Sequence, residues 1–124
     1  MEKLKDLYPM AYDCTCMHEF VMSLEKFHKE NNVSALDVAK ALLDFGIHPP
    51  TMYFPLIVSE ALMVEPTETE SRETLDEAIA AFRKIYDSII SSPESVSASP
   101  VTTPVRRLDE VKAAREPVLK YEFS

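Results

Sequence analysis

The stretch DFGIHPPTMYFPLIVSEALMVEPTETESRETLD, residues 44–76, decides how this chain folds. It contains the only glycine of the sequence, Gly46, then a proline-rich aromatic turn formed by His48, Pro49, Pro50, Tyr53, Phe54 and Pro55. An apolar run follows, LIVSEALMV from Leu56 to Val64, whose composition predicts a buried strand centred on Ala61–Val64. Thr67 and Glu70 then have capping-box spacing, and Glu68, Glu70, Glu73, Asp76 and Glu77 crowd the positive end of the helix that follows. Leu75, Ala78, Ile79, Phe82, Ile85, Tyr86 and Ile89 repeat at three and four, the period of an amphipathic helix.

The segments before this stretch supply a matching strand and helix. MHEFVMSL, residues 17–24, is short, apolar and partly β-branched, and reads as a strand. EKFHKENN is a polar turn or short helix ending in an asparagine pair suited to a tight turn. Ser34 caps the next helix with Asp37 three residues on, and Ala35, Val38, Ala39 and Leu42 share one apolar face. Gly46 supplies its left-handed stop, and Pro49 and Pro50 prevent continuation. The order strand–helix–strand–helix predicts an α+β domain, with helices packed on one face of a short sheet.

The two ends carry weaker patterns. Residues 1–16, interrupted by Pro9, read as a lead-in rather than a core element. SSPESVSASPVTTP, residues 91–104, is Ser/Thr/Pro-rich and predicts an extended linker or an arm lying on another surface. A two-turn helix around Leu108–Arg115 and an extended end follow. The expected division is therefore a lead-in at 1–16, a small α+β domain at 17–92, and a linker and arm with a short helix at 93–124.

Composition narrows the function classes. A chain of 124 residues with 46% hydrophobic and 27% charged residues has enough apolar material for one core. A net charge of −8 argues against nucleic acid or an anionic membrane as main partner, since both select basic faces. No apolar run is long enough to span a bilayer, and MEKLKDLYPM lacks the apolar centre of a secretory signal, so a cytoplasmic location is the default. A single glycine, against nine prolines, leaves nothing from which to build a phosphate-cradling loop, a dinucleotide fingerprint or a nucleophile elbow.

The remaining chemistry-bearing residues each have a structural alternative. Cys14 and Cys16 sit too close for an unstrained disulfide, and with His18, His28 and His48 they match no standard zinc spacing. A Cys–His nucleophile pair with His18 lacks an orienting third group. His48, held between a glycine stop and two prolines, has the fixed placement a pocket residue needs, though sealing a helix end explains it equally. The carboxylates of EPTETE can serve as an acid/base pair or a cation site, or simply complement a helix N-terminus. Arg106 and Arg107 can clamp a carboxylate or phosphate, or form surface ion pairs.

HEF at 18–20, DVAKALLDFGIHPPT at 37–51 and EALMVEPTETESRETLD at 60–76, in that order, resemble the C-terminal part of the pyridoxal-phosphate glycine decarboxylases, the P-proteins of the glycine cleavage system. The likeness runs from about YDCTCMHEF onward, and TTPVRRLDEVKAAREPVL resembles the second subunit of the two-polypeptide form. Val101 departs from the pattern, standing where a polar residue or histidine is expected. The resemblance implies the small C-terminal domain of a fold-type-I enzyme, an oxidoreductase of glycine catabolism. It implies pyridoxal phosphate as cofactor, held by a large domain absent from this chain. It implies as partners that complementary polypeptide, the lipoyl-carrying H-protein and glycine. None of the eight lysines sits in the family's histidine–lysine cofactor motif, so the chain by itself is expected not to decarboxylate glycine. The residues expected to reach the pocket are His18, His48, Thr51 and Arg106. An independent binding module, or an assembly role in which the 91–124 arm embraces a second subunit, are the other classes the sequence leaves open.

Overall fold

A computed structural model describes residues 1–66 and 68–121. Three strands, β1 (Phe20–Ser23), β2 (Thr51–Met52) and β3 (Ala61–Val64), form an antiparallel sheet in the order β1-β3-β2. Five helices accompany them: α1 (Glu25–Asn31), α2 (Ala35–Asp44), α3 (Arg72–Ser91), α4 (Pro93–Ser97) and α5 (Glu110–Arg115). This is the expected α+β arrangement.

The alternation of side chains along a strand sorts the sheet into two faces. Phe20 and Met22 on β1, with Leu62 and Val64 opposite them on β3, face the core shared with α1, α2, α3 and α4. Val21, Ala61 and Met63 turn the other way and are covered by Ala11 and Val58. The strands are shorter than the apolar runs that contain them. Leu56 and Ile57, expected within the second strand, are 87% and 86% exposed. They lie in the loop between Tyr53 and Glu60, both of which take left-handed backbone (φ 57° and 49°).

The start and stop of α2 follow the residues. Ser34 Oγ accepts from the Asp37 N–H at 3.2 Å, and the Ser34 N–H donates to Asp37 Oδ2 at 2.8 Å, a complete capping box. At the other end Gly46, at φ 71°, donates to the Leu43 carbonyl while the Ile47 N–H reaches that of Leu42. These two bonds close the turn in the Schellman manner. Helix α3 begins later than the capping-box reading implies: Ser71 is its N-cap and accepts from the Thr74 N–H at 3.1 Å. Thr67, on which that reading rested, lies outside the described residues, and Glu68 and Glu70 precede the helix rather than occupy its first turn.

Two end segments belong to the core, contrary to expectation. Leu4 is 3% exposed and Tyr8 fully buried, so residues 1–16 are not merely a lead-in. Tyr8 sits edge-on to Phe27, Phe82 and Tyr86 at centroid distances of 5.7–5.9 Å. Beyond Pro9 the chain runs beside β1, with Ser23 N–H donating to the Pro9 carbonyl and Ala11 N–H to that of Val21. The Ser/Pro-rich segment is likewise not extended throughout: it forms α4, with Pro93 at the first turn where its missing N–H costs nothing. Val96 enters the core and Ser99 is buried.

A tertiary contact completes the α2 N-terminus. Glu60 Oε2 accepts the Ala35 N–H at 2.7 Å, while the Glu60 carbonyl accepts from Leu24. One residue thus ties the end of the β2–β3 loop to both β1 and α2. Replacing Glu60 with alanine is expected to lower stability by about 1–2 kcal/mol, the cost of a lost charged cap. Glutamine, which keeps an acceptor, should recover about half of that loss; urea unfolding of the two variants measures both.

Candidate functional site

An open groove of about 790 Å³ lies between α3, the 45–51 turn and the end of β3. The Schellman turn and the two prolines fix one wall, which carries His48 and Thr51. Leu75 and Ala78 on α3 form part of the opposite wall, and Met63 and Val64 lie on β3. Of the four residues expected to reach a pocket, the fold brings two together here. His48 and Thr51 share the groove and both are exposed.

The other two lie elsewhere. His18 precedes β1, its ring nitrogen 3.4 Å from Glu19 Oε2. Arg106 is on the arm beyond α4 and donates to the Pro100 carbonyl at 3.4 Å. Neither lines the groove. Cys14 and Cys16 are exposed free thiols. Among the described residues no three His, Cys, Asp or Glu side chains converge on a site for a metal ion.

The electrostatics of the groove restrict what it can hold. Glu65, Glu70 and Glu77 line it beside Lys84, whose ammonium lies 5.9 Å from the centre of the Phe45 ring. A phosphate placed there would face more negative than positive charge, and the α3 N-terminus nearby carries Glu73 in its first turn. A pyridoxal phosphate site needs a lysine positioned for the aldehyde and a cradle of N–H groups for the phosphate. Lys84 lies in the groove, but the three glutamates beside it oppose a phosphate there, so the groove residues do not fit the whole cofactor. They can supply a wall.

No spacing in the sequence signals the way the arm is held. Asp44 stands at the C-terminal end of α2, where the helix dipole disfavours a carboxylate. It is compensated by the arm: the Val101 N–H (2.8 Å), the Thr102 N–H (2.7 Å) and the Thr102 hydroxyl (2.7 Å) all donate to it. Burial pushes the Asp44 carboxyl up, but these bonds, with one from Ser99, outweigh it and hold the group below the usual range. At Val101 the fold therefore uses the backbone N–H rather than the side chain.

Arg107 completes the attachment. Its Nε donates to the Ser99 carbonyl at 2.7 Å and its Nη2 pairs with Asp37 Oδ1 at 2.6 Å. Its Nε and Nη2 are thus both engaged within the chain, which makes Arg107 an internal fastening. Burial raises the Asp37 carboxyl, yet the bonds from Ser34 and the bond and charge of Arg107 bring it below the usual range.

Comparison with known proteins places this geometry in a family. The sequence model of the family described as "Glycine dehydrogenase, C-terminal domain" matches residues 1–106. A protein of Fervidobacterium nodosum named "Probable glycine dehydrogenase (decarboxylating) subunit 2" is 57% identical over 120 residues, 97% of this chain and 25% of that protein. Proteins of the same name from Treponema denticola (58% over 121 residues) and Bacillus velezensis (56% over 122) each match 98% of this chain and 25% of their own length. The chain thus spans about a quarter of the length of the curated relatives it matches. No helix among the described residues is long and apolar enough to cross a membrane. With the family model covering most of the chain and the α+β fold agreeing with it, the chain belongs to the glycine dehydrogenase C-terminal domain family.

Proposed function

We propose that this chain works as the small domain of a glycine decarboxylase, forming one side of a pocket whose cofactor is held by the larger part of the enzyme. The observation that carries the reading is the match along almost the whole chain to one quarter of proteins named as glycine dehydrogenase subunit 2. Pyridoxal phosphate, when bound by that larger part, supplies the electron sink for loss of carbon dioxide from glycine. The contribution of this chain is steric and environmental. The rigid 45–51 turn presents His48 and Thr51 at the rim of an apolar groove, a surface suited to excluding water when a second body closes over it. His18 and Arg106 do not line that groove, and on this reading they meet the pocket from another side.

The complementary subunit, glycine and the lipoyl arm of H-protein are the partners of this reading, the last as acceptor of the aminomethyl group. A cytoplasmic placement belongs to this reading as well.

Incubation with pyridoxal phosphate, borohydride reduction and mass spectrometry test the reading. No single lysine should be labelled stoichiometrically in this chain alone. Glycine decarboxylation should appear only when the complementary polypeptides and H-protein are added. A stoichiometric adduct at one lysine would overturn the proposal and make this a self-contained cofactor protein. No activity in the complete mixture would favour an independent binding module instead.

A further inference from the structure

We infer that Asp44 is a positioning residue for the groove: by clasping the arm at Val101 and Thr102 it fixes the place of the 45–51 turn, and so of His48 and Thr51. The inference rests on the functional reading above and deepens it by naming what holds those two residues at the pocket wall.

Burial does not hold this turn. Between Leu42 and Ala61 no residue is buried, and Ile47 packs against the core while staying partly exposed. The far end of the turn is set by the pairing of Thr51 with Met63 in the sheet. Its near end is the last turn of α2, where the Gly46 and Ile47 N–H groups bond to Leu43 and Leu42 of the same helix end. A helix terminus closed on itself in this way frays unless a separate element holds it. Asp44 provides that hold, because its bonds reach a segment 57 and 58 residues further along the chain.

The path of the arm suits this role. Asp37 and Asp44 are seven residues apart, about two turns of α2, so both carboxylates stand on one face of the helix. The arm meets that face twice, with Thr102 at Asp44 and Arg107 at Asp37. Beside the clasp a recess of about 70 Å³ is lined in part by Asp44, Ser88, Ser95 and Ser99. A polar recess of that size is room for water rather than close packing, so hydrogen bonds set the position of the arm at this point. Asp44 Oδ1 accepts from the Val101 N–H, the Thr102 N–H and the Thr102 hydroxyl, and the Val101 N–H is shared with Oδ2 at 2.9 Å. An amide oxygen in the place of Oδ1 accepts the same three groups. The acceptor is therefore essential to the clasp and the charge is not.

The test compares Asp44→Asn, Thr102→Val and Asp44→Ala in the polypeptide carrying this chain, assayed well below their unfolding temperatures with the complementary polypeptides and H-protein. These variants keep all three donors to Oδ1, the two N–H donors, and no clasp, respectively. Asp44→Ala should lower kcat for glycine decarboxylation roughly tenfold and change KM for glycine by less than about threefold, since a displaced wall acts on the chemical step. Amide hydrogen exchange at Gly46 and Ile47 should quicken roughly tenfold as the helix end frays. Asp44→Asn should stay within about twofold of the parent in both measurements, with Thr102→Val between the two. Parent-like kcat or parent-like exchange in Asp44→Ala overturns the inference. Asp44→Asn as impaired as Asp44→Ala also overturns it, because charge would then be the working property. A parent mixture that does not decarboxylate glycine overturns the functional reading, while the exchange comparison still decides whether Asp44 holds the turn.

Discussion

Tyr8→Ala is expected to lower the unfolding free energy by about 3–5 kcal/mol, the range for truncating a fully buried aromatic ring. The ring has no exposure and makes edge contacts with three others, so its removal opens a cavity that Phe27, Phe82 and Tyr86 cannot all move to fill. Against a total of about 5–15 kcal/mol for a domain, that loss is enough to unfold a substantial fraction at moderate temperature. Tyr8→Phe separates packing from polarity. Its hydroxyl donates to the Phe82 carbonyl at 2.8 Å, a group that by helix geometry already accepts within α3. That variant should therefore lose only about 1 kcal/mol. Urea unfolding followed by circular dichroism measures both. An Ala variant within 1 kcal/mol of the parent would show that the N-terminal segment is peripheral after all. Burial also pushes the Tyr8 phenol up, so folding opposes its ionisation and stability should fall as pH rises above its ordinary value of 10.0.

The second large effect is expected at Asp37, where three structural tasks meet. Its carboxylate takes bonds from the Ser34 N–H and hydroxyl and pairs with Arg107 from the arm. Asp37→Ala should cost about 2 kcal/mol: about 1 for the helix cap and about 1 for a partly buried ion pair. Arg107→Ala should remove the second part together with the bond to the Ser99 carbonyl, and a double-mutant cycle isolates the ion pair. If the two single losses simply add, the pair contributes nothing and the arm is held by Asp44 and the Arg107–Ser99 bond. Asp37 and Asp44 also set the acid limit of the fold. Both carboxyls sit below their ordinary value of 3.8 in the folded chain. Their contribution is therefore present above that pH and is lost as the pH falls through their lower folded values. Because Asp44 is less buried than Asp37, its share should be the smaller and should weaken with added salt. Urea midpoints measured from pH 7 down to 2.5 should fall chiefly below pH 4, and less steeply in Asp37→Ala.

Local chemistry alone determined the parts of this protein whose signals lie within a few residues. The box of Ser34 and Asp37, the stop at Gly46 and the heptad-like spacing of Leu75 to Ile89 each have one stable local solution, and the chain adopts it. The three ordered motifs at 18–20, 37–51 and 60–76 likewise carried the family. His48 and Thr51 stand close together in sequence on one rigid turn, so their sharing of a groove follows from the sequence as well.

Tertiary structure decided what depends on partners far along the chain. Met1, Leu4, Leu7 and Tyr8 have helical spacing, but Pro9 ends the run after about two turns, too short to stand alone, so the burial of Leu4 and Tyr8 depends on α1 and α3 enclosing them. The Ser/Pro-rich composition of 91–104 favours an extended chain, yet Val96 and Ser99 gain a surface on α2 and α3, and Pro93 is tolerated in the first turn of α4. Glu60, Asp37 and Asp44 show the same limit. A carboxylate's sequence neighbours reveal a local cap, but they do not reveal an N–H group 25 or 57 residues distant that folding brings within hydrogen-bond reach. Leu56 and Ile57 had the composition of a strand but found no strand to pair with, because the loop between Tyr53 and Glu60 turns its backbone away from the sheet. Backbone pairing is a relation between segments, and an apolar run by itself cannot specify where its hydrogen bonds will go.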